Sequence, residues 1–337
     1  VTTLALPRRW QLPGWGLCLL LALIAELTYF TLTTRYFAAN GVPGILVLAE
    51  QFAPTGVLAL GMAMVILTGS IDLSAGANAS LAAIVCGLGL EKGYNMWLCI
   101  LAAVLAGTVV GLANGLLVAL AGIDSLLVTL ATQFIVTSVL TSLAGAQPPF
   151  NFSVTFQGLG QGAVADVPND VLVFLVLGAA TILLVNYTTL GRSIVLTGFS
   201  QRAAQYTGIA TRKTLASVFT LNGAFAGIAG VLLAAYYNSA QPDTGTILLL
   251  PAITIVVLGG VDIFGGRGRI GEVIIAGFLL GYLSQGMLIE GNSSLTITMV
   301  TGLVLIGALV LKISFERNSR LLLSARLQRL RTLPKRI

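Results

Sequence analysis

The segment MVILTGSIDLSAGANASLAA places one carboxylate, Asp72, between Gly69 and Gly76, with Ser70, Ser74, Asn78 and Ser80 around it, inside an otherwise apolar run. A carboxylate so close to apolar sequence needs hydrogen-bond partners or a watery route. Two readings follow. Either a helix breaks at the glycines and Ser74 or Asp72 caps the helix that restarts, or Asp72 is a polar step on a pathway. A second segment, VVLGGVDIFGGRGRIG, echoes the first: setting Gly69 on Gly259 also sets Asp72 on Asp262 and Gly76 on Gly266. Shared junction chemistry explains the echo more simply than duplication. Gly266, Gly268 and Gly271 spell G-x-G-x-x-G, but a dinucleotide fingerprint needs a soluble strand-turn-helix unit, and apolar spans flank these glycines.

Other reactive chemistry is scarce. The chain has no histidine, and Cys18, Cys86 and Cys99 sit in apolar runs without paired spacing. A metal site, a disulfide framework and histidine-based acid–base catalysis are therefore not expected, and no nucleophile-and-base or paired-carboxylate constellation points to an enzyme. A Walker A motif is missing, so the chain is expected to bind no ATP itself. The remaining polar residues within apolar runs are Glu26, Glu50, Gln51, Asn114, Gln133, Asn222 and Gln285. Each one alone is more readily a helix-to-helix hydrogen bond than a solute contact. Together with Asp72 and Asn78 they argue for a polar route through the membrane.

The elements that must position these residues are membrane helices. Of 337 residues 56% are hydrophobic and 9% charged, against about 25% charged in soluble domains. Apolar runs are long enough to cross a hydrocarbon core of about 30 Å as helix and lack the alternation of barrel strands. Ten spans are expected, over 15–34, 44–68, 73–90, 95–120, 125–146, 169–187, 214–237, 247–262, 270–290 and 294–313. The run from Trp15 to Thr34 is long and has no small-residue cleavage site, so it reads as the first span rather than a signal peptide. With both termini cytoplasmic, all but Arg35 and Lys92 of the 18 lysines and arginines fall inside, as the positive-inside rule asks. The net charge of +6 thus reflects orientation in a membrane rather than affinity for nucleic acid.

The expected organisation is one membrane domain over 1–337: a cytoplasmic start (1–14), six spans (15–187), a cytoplasmic loop (188–213), four spans (214–313) and a basic tail (314–337). The loop carries Arg192, Arg202, Arg212 and Lys213. Gly191, Gly198 and Gly208 bracket a segment, Phe199 to Thr207, long enough for two turns of helix. A glycine at each end lets the chain bend, and the segment reads either as a plain tether or as a docking element. The longest loop on the other side, between 145 and 170, is expected to carry a short surface helix or a gate. In the tail, Leu321, Leu322, Leu323, Leu327 and Leu330 among arginines suggest either an amphipathic surface helix or an orienting charge cluster.

MVILTGSIDLSAGANASLAA, TLGRSIVLTGFSQRAAQYTGIATRKT and AITIVVLGGVDIFGGRGRIGEVIIAGFLLGYLSQGM together resemble the permease subunits of bacterial ABC importers for ribose-type sugars, over roughly 44–311 and in family order. NSAQPDTGTILLLPAITIVVLGG is most similar to the autoinducer-2 branch of that family. The resemblance implies the polytopic all-α permease fold of an importer for a small sugar or sugar-like solute. It also implies several partners: a second permease chain, a cytoplasmic ATPase that binds ATP and Mg, and a periplasmic sugar-binding protein. Gly191, Arg192, Gly198, Phe199, Ser200, Gln201, Ala203, Ala204 and Gly208 become the expected ATPase-coupling set. Ser70, Ala75 and the Phe199-Ser200-Gln201 triplet depart from the family pattern, which bears on the junction and the ATPase contact. The rival reading is an ion-coupled carrier using Glu26, Glu50, Asp72 or Asp262 as coupling carboxylates.

Overall fold

The structure is a computed structural model that describes residues 13–34, 37, 41–145, 147–307 and 310. Arg8 and Arg9 of the expected cytoplasmic start and the expected basic tail 314–337 lie outside the described residues.

Helices dominate, and among the described residues six are long and apolar enough to cross a membrane. They are α1 (Pro13–Thr33), α5 (Met96–Leu120), α6 (Ser125–Ala144), α8 (Asn169–Tyr187), α11 (Thr211–Tyr237) and α13 (Ile270–Ile289). A seventh span is broken: α2 (Gly41–Leu48) and α3 (Ala53–Leu67) meet at a 58° bend. The expected straight span over 44–68 is thereby corrected. Pro54 stands in the first turn of α3, where its ring and missing N–H prevent the preceding helix from running through. Three shorter apolar helices occupy the remaining expected segments: α4 (Ala75–Glu91), a 3₁₀ turn (Thr246–Leu248) leading into α12 (Leu249–Leu258), and α14 (Ser294–Gly307).

All fifteen residues of α3 are buried, so α3 is the axis of the bundle. It is flanked by α8, α11, α12 and α13. Lipid gives helices no hydrophobic reason to associate, so contact must come from close packing of small residues. The α5–α11 pair shows this most directly. Six of the seven buried residues of α5 recur every fourth position, at Cys99, Ala103, Gly107, Gly111, Gly115 and Ala119. A Cβ on Gly107 would stand 2.6 Å from the Gly223 carbonyl oxygen, and one on Gly227 2.8 Å from Val104 Cα. The two backbones therefore touch. The other face of α5 carries exposed Leu98, Leu101, Leu105, Val109 and Leu116, the apolar surface a lipid-facing helix needs.

The expected loop between 188 and 213 is largely helical. α9 (Thr189–Phe199) begins on Thr188, whose hydroxyl accepts from Gly191 N at 3.1 Å. It buries Gly191, Ile194 and Thr197 on one face. Ser200 is extended and caps α10 (Gln201–Tyr206), accepting from Ala203 N at 3.2 Å. The short helix within Phe199 to Thr207 thus starts at Gln201. Gly191 and Gly198 lie inside α9 instead of bending the chain, whereas Gly208, at φ +83°, does terminate α10.

At the opposite end of the bundle, the long loop carries the expected short helix, α7 (Val154–Gln161), and a two-stranded hairpin, β1 (Ala163–Val164) with β2 (Val167–Pro168). It folds back on the end of α11. Asn238 adopts a left-handed conformation there (φ 51°), and its side chain accepts from Phe152 N at 2.7 Å. Ala240 N donates to Pro149 O at 2.9 Å.

Candidate functional site

The pathway candidates fall into two groups, one towards the α10 end and one at the end where α7 lies. The first centres on Asp72, 2% exposed. Its Oδ1 accepts from Ser74 N (2.9 Å) and Ser74 Oγ (2.6 Å), and its Oδ2 accepts from Asn222 Nδ2 (2.8 Å). Ser74 Oγ in turn accepts from Asn114 Nδ2 (2.8 Å), and Thr132 Oγ1 donates to Asn114 Oδ1 (2.6 Å). One chain of hydrogen bonds therefore ties α11 through the α3–α4 junction to α5 and α6. The junction backbone is held too, with Leu73 N donating to Thr129 Oγ1 at 3.0 Å.

With these acceptors filled, Asp72 is the fastening of a broken helix. Neither Ser74 nor Asp72 reaches an N–H inside α4, so the capping expected of them is replaced by this cross-bundle tie. Asn78 Nδ2 donates to Gly107 O at 3.0 Å, fixing α4 to α5. Gln133, half-buried on α6, joins neither group.

The two echoing segments meet beside this tie. Gly69 (φ +78°) and Gly260 (φ +80°) each end a helix. The next residues, Ser70 and Val261, each donate back five positions, to Val65 O (3.4 Å) and Val256 O (3.2 Å). Helix ends therefore align Gly69 with Gly260, one residue from the alignment the sequence suggests. Both carboxylates still bind the N–H two residues on: Ser74 for Asp72 and Phe264 (3.1 Å) for Asp262. The glycine loop then packs against α9. Gly266 N donates to Leu67 O at 2.9 Å, and a Cβ on Gly198 would collide with that same carbonyl. Arg267 lies over the Phe199 ring, Cζ 5.9 Å from its centroid, a cation–π contact. The G-x-G-x-x-G sequence follows helix α12 and is used for packing.

Of the expected coupling set, Arg192, Phe199, Ser200, Gln201 and Ala203 are exposed, while Ala204 is buried under α10. Tyr206 and Phe264, 92% and 88% exposed, extend this apolar and basic face. Their sequence setting, among loop residues, gave no sign of it.

The second group lies where α3 begins. Gln285 of α13 donates to the Gln51 side-chain carbonyl. Glu50 is half-buried in the bend between α2 and α3, and Asp170 stands in the first turn of α8. Asp170 is 0% exposed, and neither of its carboxylate oxygens has a hydrogen-bond partner among the described residues. Gln51 and Gln285 are brought together across 234 residues of sequence, with Glu50 beside Gln51 in the chain. Glu26, on α1, also buries both carboxylate oxygens with no hydrogen-bond partner among the described residues.

Comparison with known proteins bears on what this arrangement is for. The family model described as branched-chain amino acid transport system / permease component matches residues 44–309. The chain is 33% identical over 307 residues to the autoinducer 2 import system permease protein LsrD of Salmonella typhimurium, covering 89% of this chain and 92% of that one. It is 34% identical over 304 residues to the protein of the same description from Escherichia coli, covering 88% and 91%. A solved structure, described as an inward-facing conformation of a metal-chelate type ABC transporter, superposes with a TM-score of 0.52. It covers 90% of this chain and 99% of that chain at 12% identity, a likeness of fold alone.

Proposed function

The chain belongs to the permease-component family of branched-chain amino acid transport systems, and from that premise we propose that it is the membrane subunit of an ATP-driven importer for a small hydroxylated solute of the ribose or autoinducer 2 kind. It is a multi-pass inner-membrane protein. Ten spans with both termini cytoplasmic put the exposed α9–α10 face, with Arg192, Arg202, Arg212 and Lys213, inside, in keeping with the charge rule. In this reading α10 seats in a cytoplasmic ATPase, which binds ATP and Mg, while a second permease chain completes the pathway and a periplasmic binding protein delivers the solute.

The observation that carries this reading is the one-third identity, over nearly nine-tenths of the chain, to proteins described as autoinducer 2 import permeases. The packing of α10's neighbours supports the mechanism. Gly198 and Gly266 bring α9 and the glycine loop against the end of the fully buried α3. A displacement of α10 therefore reaches the axis of the bundle through contacts without a flexible side chain between them, so ATPase closure can rock the spans.

Purification tests the assignment. The chain alone should hydrolyse no ATP. Co-expressed with its ATPase it should be recovered as one complex whose hydrolysis rises when the loaded binding protein is added. Hydrolysis by the isolated chain, or failure of any ATPase to associate, would overturn the assignment.

A further inference from the structure

We propose that Phe264, at the tip of the glycine loop 259–268, is a second anchor for the ATPase partner, separate from α10, and that its ring enters an apolar socket with an acidic rim on that subunit. The inference deepens the importer reading and rests on it.

The loop presents one aromatic ring on a pinned backbone. Asp262 N donates to Arg267 O (2.8 Å), Gly265 N to Asp262 O (2.9 Å) and Phe264 N to Asp262 Oδ1 (3.1 Å). Gly265 and Gly266 take the positive φ angles, +87° and +76°, that so tight a turn requires. Phe264 itself is 88% exposed. A ring on a backbone already held in place gives up little freedom when it docks, so a single side chain can contribute much to binding.

Where the loop sits decides what kind of surface covers the ring. Phe264 O lies 3.0 Å from the place a Cβ on Gly69 would take, and Gly266 N donates to Leu67 O at 2.9 Å. The loop therefore stands on the end of α3. That helix is buried along its whole length, with α8, α11, α12 and α13 around it. Phe264 thus lies towards the middle of the bundle's end. Lipid headgroups meet a bundle at its flanks, where aromatic belts form, and are not placed to cover this ring. An exposed aromatic set in a polar, basic surface away from lipid is the usual anchor of a protein contact.

Charge selects the partner. Segments 188–214 and 259–269, which build this face, hold six arginines and lysines and one acidic residue, Asp262. A complementary surface is acidic. The chain's own outlying segments do not complement it: 1–12 holds Arg8 and Arg9 and no acidic residue, and 311–337 holds eight arginines and lysines against Glu316. The loop is also continuous with the α10 face. A Cβ on Gly266 would stand 2.8 Å from Phe199 N, and Arg267 lies over the Phe199 ring. Two anchors on one packed unit fix the angle at which the ATPase sits, so its closure turns the end of α3 instead of swivelling about α10.

The test uses the full chain in lipid nanodiscs with the ATPase that co-purifies with it. Replacing Phe264 by a photo-reactive benzophenone amino acid should give a covalent adduct with the ATPase. The same replacement at Tyr94, exposed at the α7 end, should not. Phe264→Ala should unfold at the wild-type temperature and weaken ATPase binding about ten- to a hundredfold, as loss of an anchor does. Phe264→Leu should lose less, and Tyr94→Ala nothing. Wild-type binding should weaken at least about threefold between about 0.05 and about 0.5 M salt.

Wild-type affinity in Phe264→Ala would overturn the anchor and leave the importer reading intact. Adducts at position 264 with lipid or with the chain's own tail in place of the ATPase would do the same, whether or not Phe264→Ala folds. Binding indifferent to salt would contradict the acidic rim. A wild-type chain that recruits no ATPase at all would overturn both readings together.

Discussion

Asn222 Nδ2 lies 2.8 Å from Asp72 Oδ2, across 150 residues of sequence, and this bond holds the break between α3 and α4 to the middle of α11. It is the last donor of a carboxylate that is otherwise bonded only to Ser74. Asn222→Leu is therefore expected to leave a buried charge under-compensated, at a cost of about 3–5 kcal/mol. The check is thermal unfolding of the detergent-purified chain. Asp72→Asn should be milder, because an amide retains an acceptor for Asn222 while losing the charge.

The α5–α11 contact leaves no room for side chains. Gly111→Leu should prevent the two helices from meeting, because its Cβ falls on the Phe219 carbonyl and Gly223, and a clash of backbone against backbone exceeds about 4 kcal/mol. Limited proteolysis and size-exclusion chromatography should show a chain that inserts but does not pack. By contrast Gly158→Ala, which meets nothing within 4 Å, should behave as wild type.

Ala203 and Ala204 are adjacent in α10 but face different surroundings, one exposed and one 4% exposed. Ala203→Trp should leave the chain folded and reduce ATPase stimulation by the binding protein at least about threefold, by filling the surface that seats the ATPase. Ala204→Trp should instead disturb the packing of α10 and lower thermal stability by about 1–3 kcal/mol, as overpacking does. Wild-type coupling in Ala203→Trp would remove α10 from the docking surface.

The loop that holds α7 depends on Asn238. Its φ of 51° suits asparagine or glycine, and its side chain holds Phe152 N. Asn238→Ala loses both the acceptor and the favoured conformation, a cost of about 1–3 kcal/mol. Faster protease cleavage between 147 and 168, with the rest of the chain unchanged, is the expected readout. Asn238→Gly should fall between the two.

The positions of the helices were legible because membrane spans are written in uninterrupted apolar length, which needs no partner to be recognised. Pro54 marks the bend between α2 and α3, yet the apolar run continues past it, so hydropathy joins the two pieces. α9 was hidden for the opposite reason. Its threonines, glycines and arginine read as loop, while its helical spacing of Gly191, Ile194 and Thr197 becomes meaningful only against a neighbouring surface. Asp72 stood out as a carboxylate in an apolar run, but whether it lines a pathway or fastens a junction depends on Asn222 and Asn114, far away in sequence. Asp170 was passed over because it sits beside a polar loop. α3, α7 and α13 pack against α8, whose first turn carries it, and no local pattern records that.

The central claim is that ATP, hydrolysed by a partner seated on this chain, drives a hydroxylated solute across the membrane. The most direct measurement is uptake of labelled autoinducer 2 or D-ribose by liposomes containing the complete importer, with ATP inside and ionophores abolishing every ion gradient. The account predicts uptake of at least one of them that persists with the ionophores and vanishes when the ATPase subunit or ATP is left out. Uptake that collapses with the gradients, or continues from the permease without ATP, would contradict it.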